Sequence, residues 1–446
     1  MSLLTSKQKA ELYLAILDHF ETNGFQRSHD TFKEELEERQ IQLSKGKSLE
    51  ISRANNHLEK KWTGLLRLQK KILELEFYNR KLENELVKLQ PYKATKEIWL
   101  PQKDDEVELL GHRSPITALA FHPYITVVAS ASEDAKIKIW DCDTNSLETT
   151  LVGHFKSIRA LAFSETTGNE QEKVYLASGA EDATICLWDA TSGYANLYAL
   201  TGHEATVSCI RFLKEHDGPL LLLSGSKDGS VRLWDVETGE CVRVFNQFGS
   251  QWVRALAVFE DKEHFVAAGN DGKARVLDLR NESARPILCT GHSHVIECVE
   301  VLPSTAYPYV QKFFGREVAA RQETLSRLLF LTGSRDNKIF LWDGATGKLL
   351  HKFEGHKNWV HSITFHPCGK YFLSVSDDRT MKIWDLEGGQ AVETISFQNR
   401  IPLCVCWKHP MSSTDVLQNY LNLFASGCSD SHIQIWSSHK SNPVQK

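Results

Sequence analysis

Several large classes of protein leave marks in a sequence that this chain lacks. No apolar run approaches the roughly 18 residues of a membrane-spanning helix, and the N-terminus, MSLLTSKQKAEL, lacks the charged-then-apolar pattern of a secretory signal. A GxxxxGK(S/T) phosphate loop, an HExxH zinc motif and a GxSxG nucleophile elbow are also absent. These absences predict a cytosolic protein, not inserted in a membrane, that acts as a binding scaffold and not as an enzyme.

Cysteine usage argues against a metal site. The ten cysteines lie in strand-like segments such as LCVCW, where alternation would place Cys404 and Cys406 on one face. None belongs to a CxxC pair or has a histidine at ligand spacing, so we expect buried, reduced thiols and no metal or other cofactor. The net charge of −5 and the hydrophobic fraction of 41% indicate a folded protein without general affinity for nucleic acid, although a near-neutral total can hide a basic face.

One sequence motif recurs seven times between residues 106 and 437. Each copy has a Gly-His pair or its remnant, an alternating apolar segment, a small residue, an Asp four residues later and, six residues after the Asp, usually a Trp. The aspartates are Asp134, Asp182, Asp228, Asp271, Asp336, Asp378 and Asp430. The small residues are Ser130, Ser178, Ser224, Ala267, Thr332, Ser374 and Ser426. The final positions are Trp140, Trp188, Trp234, Leu277, Trp342, Trp384 and Trp436.

This pattern resembles the WD40 repeat. The resemblance implies a mainly β fold, a seven-bladed propeller with four antiparallel strands per blade, over residues 106–437. The histidine, hydroxyl, aspartate and indole of one copy can hydrogen-bond in series, which is stabilising when every member is satisfied. We therefore expect structural roles for His112, His154, His203, His292 and His356. The fourth and seventh copies lack the histidine, and we expect these two blades to be the least rigid.

The two ends of the repeat region predict how the ring closes. The polar segment after Trp436, SSHKSNPVQK, cannot supply a last strand, whereas EVELL before Gly111 has no other partner. We expect residues 106–110 to form the outer strand of the last blade, because this pairing ties the ends of the ring together and removes an exposed edge.

The N-terminal quarter has helical periodicity instead. Residues 7–39 carry apolar side chains at helical spacing, interrupted at Asn23 and Gly24. Two helices this short bury too little to be stable alone, so they need a partner surface. The segment resembles the Lis-homology dimerisation motif.

Heptad spacing follows over residues 56–90 and predicts a short coiled coil. A single Asn at an a position is suited to fixing register and two-strandedness. The predicted dimer contacts are Leu58, Leu65, Leu68, Ile72, Leu75, Asn79 and Leu82. The alternative is a single helix packed on the propeller. Residues 91–105 form a linker between Pro91 and the propeller, in which we expect Ile98 and Trp99 to anchor the chain.

The order of these parts, with HRSPIT opening the first repeat, closely resembles the lissencephaly-type (nuclear distribution) regulators of cytoplasmic dynein. The resemblance implies a noncatalytic homodimer that binds the motor domain of the dynein heavy chain and modulates its attachment to microtubules. Nuclear migration, spindle positioning and cargo transport would depend on it. Further implied partners are a NudE-type coiled-coil adaptor and microtubule-associated proteins, at microtubule ends, spindle poles or the centrosome.

Two other functions stay open. One is a WD40 substrate receptor or scaffold of a ubiquitin-ligase or corepressor complex, although the contiguous heptad counts against it. The other is a noncatalytic subunit of a lipid hydrolase, on which the sequence is silent.

Loop length and charge point to opposite binding faces. With strands named a to d from the centre outward, the long loops 166–173, 214–219, 303–327 and 409–419 join a to b on the bottom face. The top face, formed by the b–c turns and the loops entering strand a, is acidic at Glu133 and Glu181 in blades one and two. It is basic and aromatic over blades three to six, and Arg and Trp are enriched in binding hot spots.

We expect the top face to be the binding face, because the side chains that flank each structural aspartate in the b–c turns are free to reach outward. The resemblance implies that the family's motor-contacting motif maps onto Lys227, Arg254, Arg335, Trp359 and Arg379. Two of these differ from animal members of the family, which have Arg at the position of Lys227 and Lys at that of Arg379. With the equivalent indole of blade four, the predicted dynein contacts are Lys227, Trp252, Arg254, Arg335, Trp359 and Arg379. The alternative is that these are solvated turn charges and that the tryptophans cap the propeller's own strands.

Overall fold

The structure, a computed structural model, describes residues 99–102, 106–164, 173–214, 218–314, 328–408 and 423–437. The predicted Lis-homology motif (7–39) and coiled coil (56–90) lie outside these residues, as do most of the linker and parts of the long loops. The described residues form seven four-stranded antiparallel sheets, which are the blades of the predicted propeller.

The strands are numbered along the chain, and each blade runs from its innermost strand a to its outermost strand d. Blades one to three are β2 Ile116–Phe121, β3 Val127–Ser132, β4 Lys136–Asp141 and β5 Ser146–Val152; β6 Ile158–Phe163, β7 Tyr175–Ala180, β8 Ile185–Asp189 and β9 Ala195–Leu200; β10 Val207–Lys214, β11 Leu220–Ser226, β12 Val231–Asp235 and β13 Cys241–Phe245.

Blades four to seven follow the same plan, except that the last takes its outer strand from the start of the domain. They are β14 Val253–Val258, β15 His264–Gly269, β16 Lys273–Asp278 and β17 Ile287–Thr290; β18 Ile296–Val301, β19 Leu329–Ser334, β20 Lys338–Asp343 and β21 Lys348–Glu354; β22 Val360–Phe365, β23 Tyr371–Ser376, β24 Thr380–Asp385 and β25 Gln390–Ser396; β26 Pro402–Trp407, β27 Leu423–Cys428, β28 Ile433–Ser437 and β1 Glu106–Leu109. The bottom loop of blade five adds a 3-10 turn, Ser304–Ala306, and a helix α1, Tyr307–Phe314.

The predicted closure of the ring is confirmed. Strand β1 pairs antiparallel with β28, from Glu106 opposite Trp436 to Leu109 opposite Ile433. Leu109 is only 3% exposed and belongs to the core between blades seven and one. The strand ends one residue earlier than predicted, since Leu110 is 62% exposed.

The predicted polar series is present, as blade six shows. His356 Nδ1 lies 2.8 Å from Asp378 Oδ2, and its Nε2 lies 2.7 Å from Ser374 Oγ. The same hydroxyl accepts a 2.8 Å hydrogen bond from the Nε1 of Trp384. Burial alone would raise the pKa of Asp378, but hydrogen bonds led by the one from His356 hold it well below its usual range. The series recurs around His112, His154, His203 and His292.

Blades four and seven replace the missing histidine with an arginine. In blade four Arg275 bonds Asp271 at 2.5 Å, and its guanidinium lies 4.5 Å from the centre of the Phe248 ring. In blade seven the Nε of Arg400 lies 2.8 Å from Asp430. The structural aspartate therefore has a cationic partner in both blades, and their lower rigidity stays a prediction.

Aromatic side chains fill the spaces between neighbouring blades. Phe353 of blade five packs against Phe372 and Trp384 of blade six, with ring centres 5.0 and 5.7 Å apart. Burying a side chain of this size stabilises the fold by about 2–3 kcal/mol. The linker tryptophan Trp99 packs on Trp407 with ring centres 6.0 Å apart, which confirms its predicted anchoring role. All ten cysteines are free thiols, and five of them are buried.

The C-terminal ends of the seven a strands line a cavity of about 620 Å³. Within it Arg211 of blade three faces Glu300 of blade five, with 3.8 Å between Nη2 and Oε2. Burial raises the pKa of Glu300 to about 7, although the nearby Arg211 acts to lower it. In the part of the chain that the structure describes, no helix is both long and apolar enough to span a membrane.

Glu300→Gln is expected to stabilise the propeller at about pH 8 and to have little effect at about pH 5. The pKa of Glu300 in the folded state exceeds its ordinary 4.5, so folding favours the protonated form. The contribution of Glu300 to the stability of the fold is fully present below the unfolded pKa and is lost as the pH rises through about 7. The gain at the higher pH is at most about 3 kcal/mol, and 24% exposure of the Glu300 side chain reduces it.

Thermal unfolding at the two pH values measures this difference. The exposed Glu148 on β5 provides the control Glu148→Gln, which should give no pH-dependent change. An equal effect of Glu300→Gln at both pH values would contradict the prediction.

Candidate partner-binding site

A β-bulge near the start of each innermost strand shapes the top face. In blade six the pairing of β22 with β23 shifts between Val360 and Ser362, so His361 is the extra residue. A bulge turns a side chain out of the ordinary alternation, and His361 Nε2 lies 2.6 Å from Oδ1 of Asp377, the turn residue before the structural aspartate. The corresponding residues of the other blades are Thr117, Arg159, Ser208, Arg254, Glu297 and Leu403.

Cations lie over two tryptophan rings on this face. The guanidinium carbon of Arg335 is 4.1 Å from the ring centre of Trp359, and that of Arg254 is 3.9 Å from the ring centre of Trp252. The ammonium of Lys227 lies 5.1 Å from the centre of the Trp252 ring. Contacts of this kind contribute from about 0.5 to about 2 kcal/mol, the larger value when they are shielded from water. They fix the orientation of both the cations and the indoles.

One carboxylate joins the two cation–indole pairs. Glu297 Oε1 accepts a hydrogen bond from the Nε of Arg335, and its Oε2 lies 3.1 Å from Nη1 of Arg254. The Nε of Arg254 donates to Asn270 Oδ1 at 2.6 Å. Burial holds the pKa of Arg254 below its usual range, and Glu297 opposes that shift, so the guanidinium stays charged at neutral pH.

The structure thus gathers five of the six predicted contact residues into one group, which we call the Arg–Trp cluster: Lys227, Trp252, Arg254, Arg335 and Trp359. The prediction that the b–c turn side chains are free to reach outward is wrong for Arg335, because pairing with Glu297 leaves it 22% exposed. Arg254, which pairs with the same carboxylate, is 17% exposed. Trp359 is 37% exposed.

Arg379 stands apart from the cluster. It is exposed, and in the described residues it makes no hydrogen bond, ion pair or ring contact with the cluster. It occupies the left-handed position of its b–c turn, with φ at 63°. Gly229 and Gly272 occupy that position in blades three and four. Its binding role stays a prediction.

Sequence reasoning identified Arg254 as a contact but missed the other bulge residues, although a signal was present. In the five blades that have the repeat histidine, the bulge residue stands five residues after it, as Arg159 follows His154 and Glu297 follows His292. The pairing of a bulge residue with turn residues changes the interpretation of blades one and two, where the sequence suggested an acidic sector. Arg159 lies 3.0 Å from Glu133 and 2.6 Å from Glu181, so both carboxylates have a cationic partner.

The described part of the blade-five insertion packs on the propeller. Val310 of α1 is buried, and the ring of Phe313 lies 4.7 Å from that of His351 on β21. Lys312 is 62% exposed and lies 3.5 Å from Glu387. These contacts give the helix a structural role on the bottom face.

Comparison with known proteins agrees with this architecture. The WD domain, G-beta repeat family matches residues 105–141, 145–189, 195–235, 239–278 and 347–385. The PAC1 LisH domain family matches residues 6–38. The chain is 36% identical to the nuclear distribution protein nudF of Aspergillus niger, over 93% of this chain and 91% of that protein. The chain belongs to the nuclear distribution (nudF/PAC1) family.

Other members of the nuclear distribution family align over similar lengths. The chain is 37% identical to the nuclear distribution protein PAC1 of Ajellomyces capsulatus, over 91% of this chain and 88% of that protein. It is 35% identical to the nudF protein of Emericella nidulans, over 98% of this chain and 99% of that protein. The LisH match confirms the predicted Lis-homology motif, whereas the coiled coil stays a prediction. Each matched WD segment joins strand d of one blade to strands a to c of the next.

Proposed function

We propose that this protein is a noncatalytic regulator of nuclear distribution in the dynein pathway, and that its Arg–Trp cluster binds the motor domain of the dynein heavy chain. The names of its relatives, nuclear distribution proteins, support the pathway. The observation that carries the binding proposal is the pair of tryptophans covered by arginines that one glutamate joins. Binding there would modulate the attachment of the motor to microtubules in nuclear migration, spindle positioning and transport.

The cluster has the chemistry of a protein-binding hot spot. Trp359 offers a large, partly exposed apolar surface, and Arg335 offers charge-assisted donors beside it. Neither residue belongs to the polar series of its blade. The series of blade five consists of His292, Thr332, Asp336 and Trp342, and that of blade six consists of His356, Ser374, Asp378 and Trp384. A partner surface with an apolar pocket flanked by carboxylates fits this arrangement.

Arg379→Gly is expected to weaken motor binding while leaving the thermal stability equal or higher. An L-residue in the left-handed region costs about 1 kcal/mol, a cost that glycine does not have. Binding affinity and Tm of the variant measure the two effects. The control is Ala135→Gly, at the same turn position of blade one, which should leave affinity unchanged. Unchanged binding by Arg379→Gly would remove Arg379 from the site.

Dimerisation is proposed to place two propellers in one molecule. The heptad and the LisH match motivate this proposal. In sedimentation, the full chain is expected to be a dimer and residues 92–446 a monomer. Asn79→Leu should raise the stability of the dimer and admit other oligomers, since a polar a position specifies register at a cost in stability. A dimeric propeller fragment would refute the assignment.

Recovery of partners from cell extract tests the function. Full-length protein on beads is expected to retain dynein heavy chain, along with a NudE-type adaptor and microtubule-associated proteins, and Trp359→Ala to lose the heavy chain. Ubiquitin-ligase or corepressor subunits in its place would favour the receptor alternative, and a serine hydrolase the lipid-hydrolase one. In cells we expect the protein in the cytoplasm at microtubule ends, spindle poles or the centrosome.

A further inference from the structure

Glu297 holds together side chains from three blades. It is the bulge residue of β18 in blade five. Its carboxylate bonds Arg254 of blade four and Arg335 of its own blade, and Arg335 in turn lies over Trp359 of blade six. The Glu297 side chain is 13% exposed, so it is positioned beneath the cluster more than beside it.

We propose that Glu297 is the positioning residue of the Arg–Trp cluster, and that the arrangement it fixes is built to receive a carboxylate of the partner. Glu297 acts through the two arginines and need not touch the partner itself. This inference rests on the proposed function, because it names the chemistry that the same site recognises.

The geometry of the hydrogen bonds determines which donors remain for a partner. Arg335 uses its Nε toward Glu297, and in the described residues its two Nη groups donate to no other atom. Arg254 uses Nε toward Asn270 and Nη1 toward Glu297. The two Nη groups of a guanidinium form a planar fork that matches the two oxygens of a carboxylate. A fork held against Trp359 loses less conformational freedom on binding than a free arginine would.

Charge and positioning predict opposite effects of removing Glu297 on the affinity for the partner. Glu297→Gln takes away one negative charge next to two arginines, which should strengthen attraction to an acidic partner. Positioning predicts weaker binding, because the two guanidiniums repel each other once the carboxylate between them is gone. Weaker binding by Glu297→Gln would show that Glu297 positions the arginines. Stronger binding would show that its carboxylate competes with the partner for them.

The affinity of the full-length protein for purified dynein motor domain provides the test. We expect Glu297→Gln to weaken binding about tenfold. Glu297→Asp keeps the charge on a shorter side chain, so its affinity should lie between those of the unaltered protein and Glu297→Gln. In an Arg254→Ala/Arg335→Ala background, Glu297→Gln should cause little further loss, because Glu297 acts through these two arginines. Glu181→Gln is the matched control, since Glu181 bonds the bulge arginine Arg159 at a position without a tryptophan, and it should not change affinity.

The Nε–H nuclear magnetic resonance signals of the arginines test the positioning without any partner. Glu297→Gln should speed exchange of the Arg335 Nε–H with water, whereas the Arg254 Nε–H, bonded to Asn270, should stay protected. Equal or tighter motor binding by Glu297→Gln would overturn the inference while the proposed function stands. Failure of the unaltered protein to bind the motor would instead overturn the function, and unchanged Arg335 exchange in Glu297→Gln would still overturn the positioning role.

Discussion

Leu109→Ala is expected to lower the free energy of unfolding by about 3 kcal/mol, whereas Leu110→Ala should change it by less than about 0.5 kcal/mol. The two leucines are neighbours, but Leu109 is 3% exposed in the core between the first and last blades and Leu110 is 62% exposed. Removing three buried carbon atoms leaves a cavity where the ring closes. The same substitution one residue later removes only surface that water already covers.

Deleting residues 106–109 should have the largest effect on stability. Blade seven would lose its outer strand, and β28 would become an open edge without the pairing that runs from Glu106 to Leu109. The ion pair between Glu108 and Arg400 would be lost as well. We expect a fall in Tm of many degrees and greater aggregation. Urea unfolding of the point variants and thermal unfolding of the deletion measure these effects. Equal losses for Leu109→Ala and Leu110→Ala would show that β1 does not close the ring.

The sequence predicted those parts of the structure that fixed local spacing determines. Asp378 and Trp384 are six residues apart in one hairpin, and the repeat brings His356 to the same hydroxyl as the indole. The motif therefore identifies both the blade and its polar series. Closure could be predicted too, because an unpartnered strand and an incomplete blade stand at the two ends of the repeats.

Side-chain pairing between blades could not be predicted in this way. Glu297 belongs to no WD40 motif position, and its bond to Arg254 joins residues 43 positions apart. A bulge aims it at the cluster. Its place five residues after His292 marks the bulge in the sequence, but that spacing does not show which side chains of other blades Glu297 will pair with. The predicted residues were found on one face, but the freedom of Arg335 to reach outward was overestimated, because Glu297 holds it.

Arg335→Ala and Trp359→Ala are each expected to weaken binding to the dynein motor domain at least about tenfold, which corresponds to about 1.4 kcal/mol. Neither substitution should lower Tm by much, because Trp359 is 37% exposed and the structural bonds of blade five are made by Asp336 and His292. Truncating a central tryptophan or arginine of an interface commonly costs about 2 kcal/mol or more. Affinity should fall as salt concentration rises, since part of the attraction is between charges.

The stacking of Arg335 on Trp359 adds a sharper expectation. With 4.1 Å between the guanidinium and the ring centre, each side chain holds the other in place. The double variant should therefore lose less affinity than the sum of the two single losses. The control is Lys312→Ala on the bottom face, where the side chain is 62% exposed and contributes an ion pair to Glu387. If Lys312→Ala weakens binding and Arg335→Ala does not, the bottom face is the binding face, and the Arg–Trp cluster serves only to join the blades.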